Sequence, residues 1–144
     1  MAHVEMSVVV NRPIEEVFAK ATDFNNQAHW TSGLIEAVLT SPGALRAGAT
    51  YRYTSTMIGQ RMDTQGTVIT YDAPRDYAWR ATSGPFPMSG GIKCETVEGG
   101  TRVTLYVDAE PGGFFKLAEP LLMSSTKKQF EGDLQKMKTW MENQ

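Results

Sequence analysis

From residue 34 to residue 110 the chain is a succession of alternating apolar and polar runs broken by turn signals, after which the period lengthens to three or four residues and stays there. That change of period dictates the order of the fold: a meander of strands, then one long helix. Six runs stand at about 34–40, 49–58, 61–72, 76–82, 88–97 and 101–110, joined by SPGALRAG, a turn at Gly59, DAPRD, SGPFP and EGG. In the last connection Gly99 and Gly100 supply the backbone freedom a tight hairpin needs. An earlier strand is marked by Val4, Met6, Val8 and Val10, which alternate with His3, Glu5, Ser7 and Val9, and it brings the expected sheet to seven strands.

Between the first strand and the meander, Asn11, Arg12 and Pro13 form a cap region, Glu15 and Glu16 complement a helix dipole, and Ile14, Val17, Phe18 and Ala21 make one apolar stripe. A short helix is expected there, ended by the stretch from Asp23 to Asn26. A second helical turn is expected through His29 and Trp30, stopped by Thr31, Ser32 and Gly33. Beyond Pro111, Phe115, Ala118, Leu122, Thr126, Phe130, Leu134, Met137 and Met141 recur at steps of three or four. Pro120 suits a first helical turn better than a helix interior, which predicts a short lead-in followed by a long helix starting near it.

Reactive side chains are scarce. Two histidines, His3 and His29, and one cysteine, Cys94, occur in 144 residues, too few and too scattered for a structural zinc site. Cys94 and His29 carry no flanking nucleophile signature. The formal net charge is −2, so phosphate binding would need a local basic cluster. Lys127, Lys128, Lys136 and Lys138 alternate with Glu131 and Asp133 in the helical tail, a pattern read as a solvated helix face rather than a nucleic-acid surface. The N-terminus lacks a signal-peptide pattern, no apolar run approaches membrane-spanning length, and the cysteine is unpaired, so a cytoplasmic protein is expected. With 41% apolar and 21% charged residues, residues 1–144 are expected to form a single domain.

VNRPIEEVFAKATDF, the HW pair that follows it, AGATYRY, VITYDAPRDYAWR, SGPFP and EGGTRVTLYVDAEP together resemble, in order and spacing, the polyketide cyclase/dehydrase branch of the START-like (SRPBCC) superfamily. The resemblance covers nearly the whole chain. It implies an α+β helix-grip fold: a seven-stranded curved antiparallel sheet, two short helices near the N-terminus, and one long C-terminal helix across the concave face. It also implies a ligand cavity between sheet and helix.

Strand parity then selects the inward side chains. Tyr51, Tyr53, Ser55 and Met57 share a face of the third strand, Met62, Thr64, Gly66 and Val68 of the fourth, and Tyr77, Trp79 and Ala81 of the fifth. Met88, Gly90, Ile92 and Cys94 follow in the sixth, and Val103, Leu105 and Val107 in the seventh. The expected cavity lining is Trp30, Tyr51, Tyr53, Met57, Met62, Trp79, Phe86, Met88, Ile92, Phe115, Leu122 and Phe130. Eight methionines make such a wall adaptable, and Gly66, Gly90 and Gly91 are expected to leave space in it or to permit bends that curve the sheet.

Arg52, Asp63 and Glu95 have the outward parity, and His29, next to Trp30, is placed near the cavity mouth on the surface. No catalytic residue, metal or cofactor is therefore assigned. The expected function is binding of a small hydrophobic molecule such as a lipid, polyketide or quinone, by a monomer or homodimer. One alternative is a cofactor-independent polyketide cyclase or dehydratase steering an aldol cyclisation, with Tyr51 or Tyr53 as hydrogen-bond donor. Another is a module whose groove accepts a membrane lipid or a protein segment.

Overall fold

The computed structural model describes residues 2–57, 59–84 and 86–144, the side chains at 57, 114 and 115 excepted. Seven antiparallel strands, β1 (Ala2–Val10), β2 (Leu34–Leu39), β3 (Thr50–Met57), β4 (Gln60–Asp72), β5 (Asp76–Ser83), β6 (Met88–Val97) and β7 (Gly100–Ala109), form one sheet. Its order is β1-β7-β6-β5-β4-β3-β2. The chain thus begins at one edge, crosses to the other through α1 (Ile14–Thr22) and a 3-10 helix (Phe24–His29), and meanders back until β7 lies beside β1. After α2 (Phe114–Leu117), the long helix α3 (Glu119–Glu142) packs against the sheet, giving the α+β helix-grip architecture. Among the described residues no helix is long and apolar enough to cross a membrane.

Register breaks curve the sheet. The β4–β5 ladder shifts between Gln65 and Gly66 and again between Val68 and Thr70, and the β2–β3 ladder shifts between Leu34 and Glu36. Each extra residue bends its strand and increases the local twist. One sequence expectation moves: the short second helix begins at Phe24 instead of centring on His29 and Trp30. Asp23, read as part of a stop signal, caps it by accepting a hydrogen bond from the Asn25 N–H at 2.9 Å.

The two ends of α3 are held differently. Towards its C-terminus Leu134, Met137 and Met141 are fully buried with Val10, Val17 and Phe18 of β1 and α1. The same end is tied down by charge: Lys138 Nζ donates to the Val9 carbonyl at 2.8 Å and to Glu142 at 2.7 Å, while Glu142 accepts the Asn11 N–H at 2.7 Å. The Arg12 guanidinium reaches the Glu142 carbonyl. Towards the N-terminus of α3, Leu122 belongs instead to a smaller cluster with Met62 and Phe86. The two clusters leave a gap between them.

The strand glycines do something other than leave room. A Cβ on Gly66 would stand 2.2 Å from the Tyr51 hydroxyl and 2.6 Å from the Arg80 carbonyl oxygen, and one on Gly90 would stand 2.8 Å from the Trp79 ring. Tyr51 pairs with Gly66 and Trp79 with Gly90 across neighbouring strands. Each glycine therefore lets the aromatic ring opposite lie over the sheet. Gly132, by contrast, meets nothing within 4 Å on the exposed side of α3. Gly66→Ala is expected to destabilise by at least about 1–3 kcal/mol through overpacking, and Gly132→Ala to stabilise by about 0.5–1 kcal/mol through helix propensity. Urea denaturation of both variants checks the opposite signs.

Candidate ligand cavity

The gap between the two clusters is a cavity of about 220 Å³ bounded by the concave sheet face, the 3-10 helix with the residues after it, and the first half of α3. A single water needs only about 10–15 Å³, so the void exceeds an ordinary packing defect by an order of magnitude. Ten of the twelve residues selected from the sequence line it. Trp30 comes from the segment after the 3-10 helix, Tyr51 and Tyr53 from β3, Met62 from β4 and Trp79 from β5. Phe86 precedes β6, which contributes Met88 and Ile92, and α3 contributes Leu122 and Phe130. Met57 and Phe115 lie outside the described side chains.

Aromatic rings run along the cavity in contact with one another. Phe24 and Tyr51 have centroids 6.1 Å apart, and Tyr51 and Trp79 meet edge to face at 6.4 Å and 81°. Leu134 and Cys94, inward by their pattern, belong to the solid core beside the cavity. Burial pushes the Cys94 thiol up to about 12, so it is protonated at neutral pH. His29 points elsewhere. It stacks on Trp140 of α3 at 4.6 Å with 9° between the rings, in a separate surface depression. Arg52, Asp63 and Glu95 are exposed and pair with Glu36, Arg61 and Arg102.

The main correction concerns Asp133. The charge pattern placed it on a solvated helix face, but it is 2% exposed and lines the cavity. Ser32, between the 3-10 helix and β2, donates to Asp133 Oδ1 from its backbone N–H at 3.0 Å and its hydroxyl at 2.6 Å. Gln129 donates its amide to the Ser32 carbonyl at 3.2 Å. Tyr53 lines the cavity with this group, as does Thr31, whose hydroxyl donates to Gln27 at 3.1 Å. One wall of a cavity lined mainly by apolar and aromatic side chains thus carries a carboxyl held by hydrogen bonds from Ser32.

A signal for Asp133 does exist in the sequence. It stands three residues after Phe130 and four before Met137, on the apolar stripe itself. Phe24, Gln27, Thr31, Thr126 and Gln129 also line the cavity without having been selected as site residues.

A family model described as polyketide cyclase/dehydrase and lipid transport matches residues 1–142. The chain belongs to this family. No curated protein matches it by sequence. Among solved structures it is similar to TTHA0849 of Thermus thermophilus, at 17% identity, 97% of both chains and TM-score 0.83. It is also similar to the Zhui aromatase/cyclase of Streptomyces sp. R1128, at 18% identity, 99% of this chain, 94% of that one and TM-score 0.81. A conserved protein of Geobacillus kaustophilus aligns at 17% identity, 99% and 96% coverage and TM-score 0.79. At these identities the likeness is one of fold.

In this polyketide cyclase/dehydrase family member the polar wall has a definite electrostatic character. Burial raises the pKa of Asp133, against the opposing pull of the Ser32 and Gln129 hydrogen bonds and the Lys136 charge. Burial also raises the phenol of Tyr53, with the Asp133 charge adding to it and the Thr31 hydrogen bond opposing. Among the described residues no group of three His, Cys, Asp or Glu side chains gathers to hold a metal.

A raised carboxyl pKa means the native protein holds that proton more tightly than the unfolded chain, so the Asp133 contribution to stability falls as pH rises from the ordinary carboxylate value to the native one. Asp133→Asn keeps an oxygen for Ser32 and removes the ionisation. Its stability relative to wild type is expected to increase across that window and level off above it. Urea denaturation over a pH series measures the difference, and a flat or falling one would contradict the assignment.

Proposed function

We propose that this protein binds a small, largely apolar molecule in the cavity between the concave sheet face and α3. The observation that carries the reading is the cavity itself, about 220 Å³ walled by aromatic, methionine and aliphatic side chains. A close-packed interior leaves few voids larger than a water, so a gap of this size in the middle of the fold forgoes packing that side chains could have supplied. A fold that retains such a gap is best understood as one that fills it with a ligand. The size is below the ~300–1,000 Å³ of common ligand pockets, which favours a compact ring-bearing molecule over a long acyl chain. The free, buried Cys94 suits a reducing compartment, so cytoplasmic binding is part of the proposal.

A second reading has one specific observation behind it: a carboxyl, Asp133, and a phenol, Tyr53, line the same cavity. In this reading an ionised Asp133 accepts a proton from a carbon next to a ligand carbonyl while Tyr53 donates a hydrogen bond to the enolate oxygen; the enolate carbon then forms a C–C bond to a second carbonyl carbon, and the resulting alkoxide takes the proton back from Asp133. That is the minimum equipment for an aldol cyclisation of the kind expected of a polyketide cyclase. The Zhui aromatase/cyclase shares the fold.

Native mass spectrometry and thermal shifts across fatty acids, quinones, flavonoids and aromatic polyketides test the first reading. A bound mass and a raised Tm are expected for compact ring-bearing compounds. Thr126→Phe, which fills the cavity from α3, should weaken that binding about tenfold or more, about 1.4 kcal/mol, with an unchanged circular dichroism spectrum. Absence of any bound mass and any shift with the wild-type protein would overturn it. Turnover by wild type that is lost in both Tyr53→Phe and Asp133→Asn, with binding retained, would establish the second reading instead.

A further inference from the structure

Asp133 is the only charged side chain among the described residues that line the cavity. Among those residues no Lys or Arg forms an ion pair with it. Lys136, one turn further along α3, is exposed and acts on it from the solvent side. Its direct partner, Ser32, is a neutral donor that stabilises a carboxylate without cancelling its charge, and Gln129, bonded to the Ser32 carbonyl, is neutral as well. A carboxylate held at 2% exposure with no cation opposite it is costly unless a proton or a cation neutralises it.

The rest of the wall bears on which of the two it is. Trp30, Tyr53, Trp79 and Phe130 bring aromatic rings into the same cavity. An aromatic face attracts a desolvated organic cation through the negative charge of its π system, most strongly for tryptophan. Thr126 and Gln129 add neutral polar groups to the wall that carries Asp133. No described lining residue is basic, so nothing in the walls would neutralise a carboxylate or phosphate on a ligand.

The geometry points to a protonated amine on an aromatic body as the ligand class: the ammonium against Asp133, the ring system among Trp30, Tyr53, Trp79 and Phe130. This rests on the binding reading above and sharpens it. An ammonium offers three N–H donors, enough for Asp133 and one or two of the neutral oxygens beside it. The same arrangement disfavours fatty acids, whose anionic end would face Asp133 in a desolvated space.

A matched trio with one ring system separates charge from shape: tryptamine, tryptophol and indoleacetate, titrated by isothermal calorimetry near neutral pH. Tryptamine is expected to bind about tenfold or more tightly than tryptophol, and indoleacetate more weakly than either. In Asp133→Asn the roughly tenfold preference for tryptamine over tryptophol should vanish. If that variant does not fold, the wild-type order of the three ligands still decides. Tryptophol binding as tightly as tryptamine, indoleacetate binding best, or an amine preference that survives in Asp133→Asn overturns the inference and leaves the binding reading standing. So does failure of all three where another compound of the wider panel binds. If no compound binds at all, the inference and the reading beneath it fall together.

Discussion

Everything in this molecule depends on how α3 is seated. Its C-terminal half is fixed by tight packing of Leu134, Met137 and Met141 onto β1 and α1, and by the Lys138 and Glu142 contacts with the chain around Val9 to Arg12. That attachment fixes the position of the other half, where Leu122 meets Met62 and Phe86 at the far end of the sheet. The helix therefore bridges two clusters and spans the gap between them. A close-packed interior tolerates few voids, and this one is maintained because the helix is held at both ends while the sheet curves away from it.

The polar wall sits at the transition between the solid core and the gap. Asp133 is adjacent in sequence to Leu134 of the core, yet its own side chain lines the cavity and fastens the segment that leads into β2 through Ser32. One residue thus links α3, the connection before β2 and the cavity interior. Its burial raises its pKa, and the same burial makes it sensitive to whatever charge a ligand brings. The aromatic residues opposite are positioned by a different device. Gly66 and Gly90 let Tyr51 and Trp79 lie across the sheet, so ring orientation depends on the absence of two methyl groups.

Much of the architecture was legible because hydrophobic period is a local property. The alternation of β3 through β7 and the stripe from Leu122 to Met141 appear in the structure within a residue or two of their expected limits, since each follows from which side chains must face one core. The inward parity of Tyr51, Met62, Trp79 and Ile92 was legible for the same reason. Asp133 is hidden by its neighbours: among lysines and Glu131 it reads as a surface residue, although its steps from Phe130 and Met137 put it on the buried stripe. The bend at Gly66 and the place of Gly91 in the cavity wall agree with the sequence, but the rings over Gly66 and Gly90 do not show there, because an empty position does not reveal whether a neighbour's ring occupies it.

By itself, then, the sequence determined the order of elements, the meander, the long final helix and the apolar character of the face between them, because periodicity and turn chemistry act within a few residues. Tertiary structure alone decided that the facing surfaces stand apart to leave a cavity, that His29 turns away to Trp140, and that Ser32 and Asp133, 101 positions apart, meet at its wall. Those outcomes depend on sheet curvature and helix seating, which are set by contacts between residues distant in the chain and so leave no periodic trace in it.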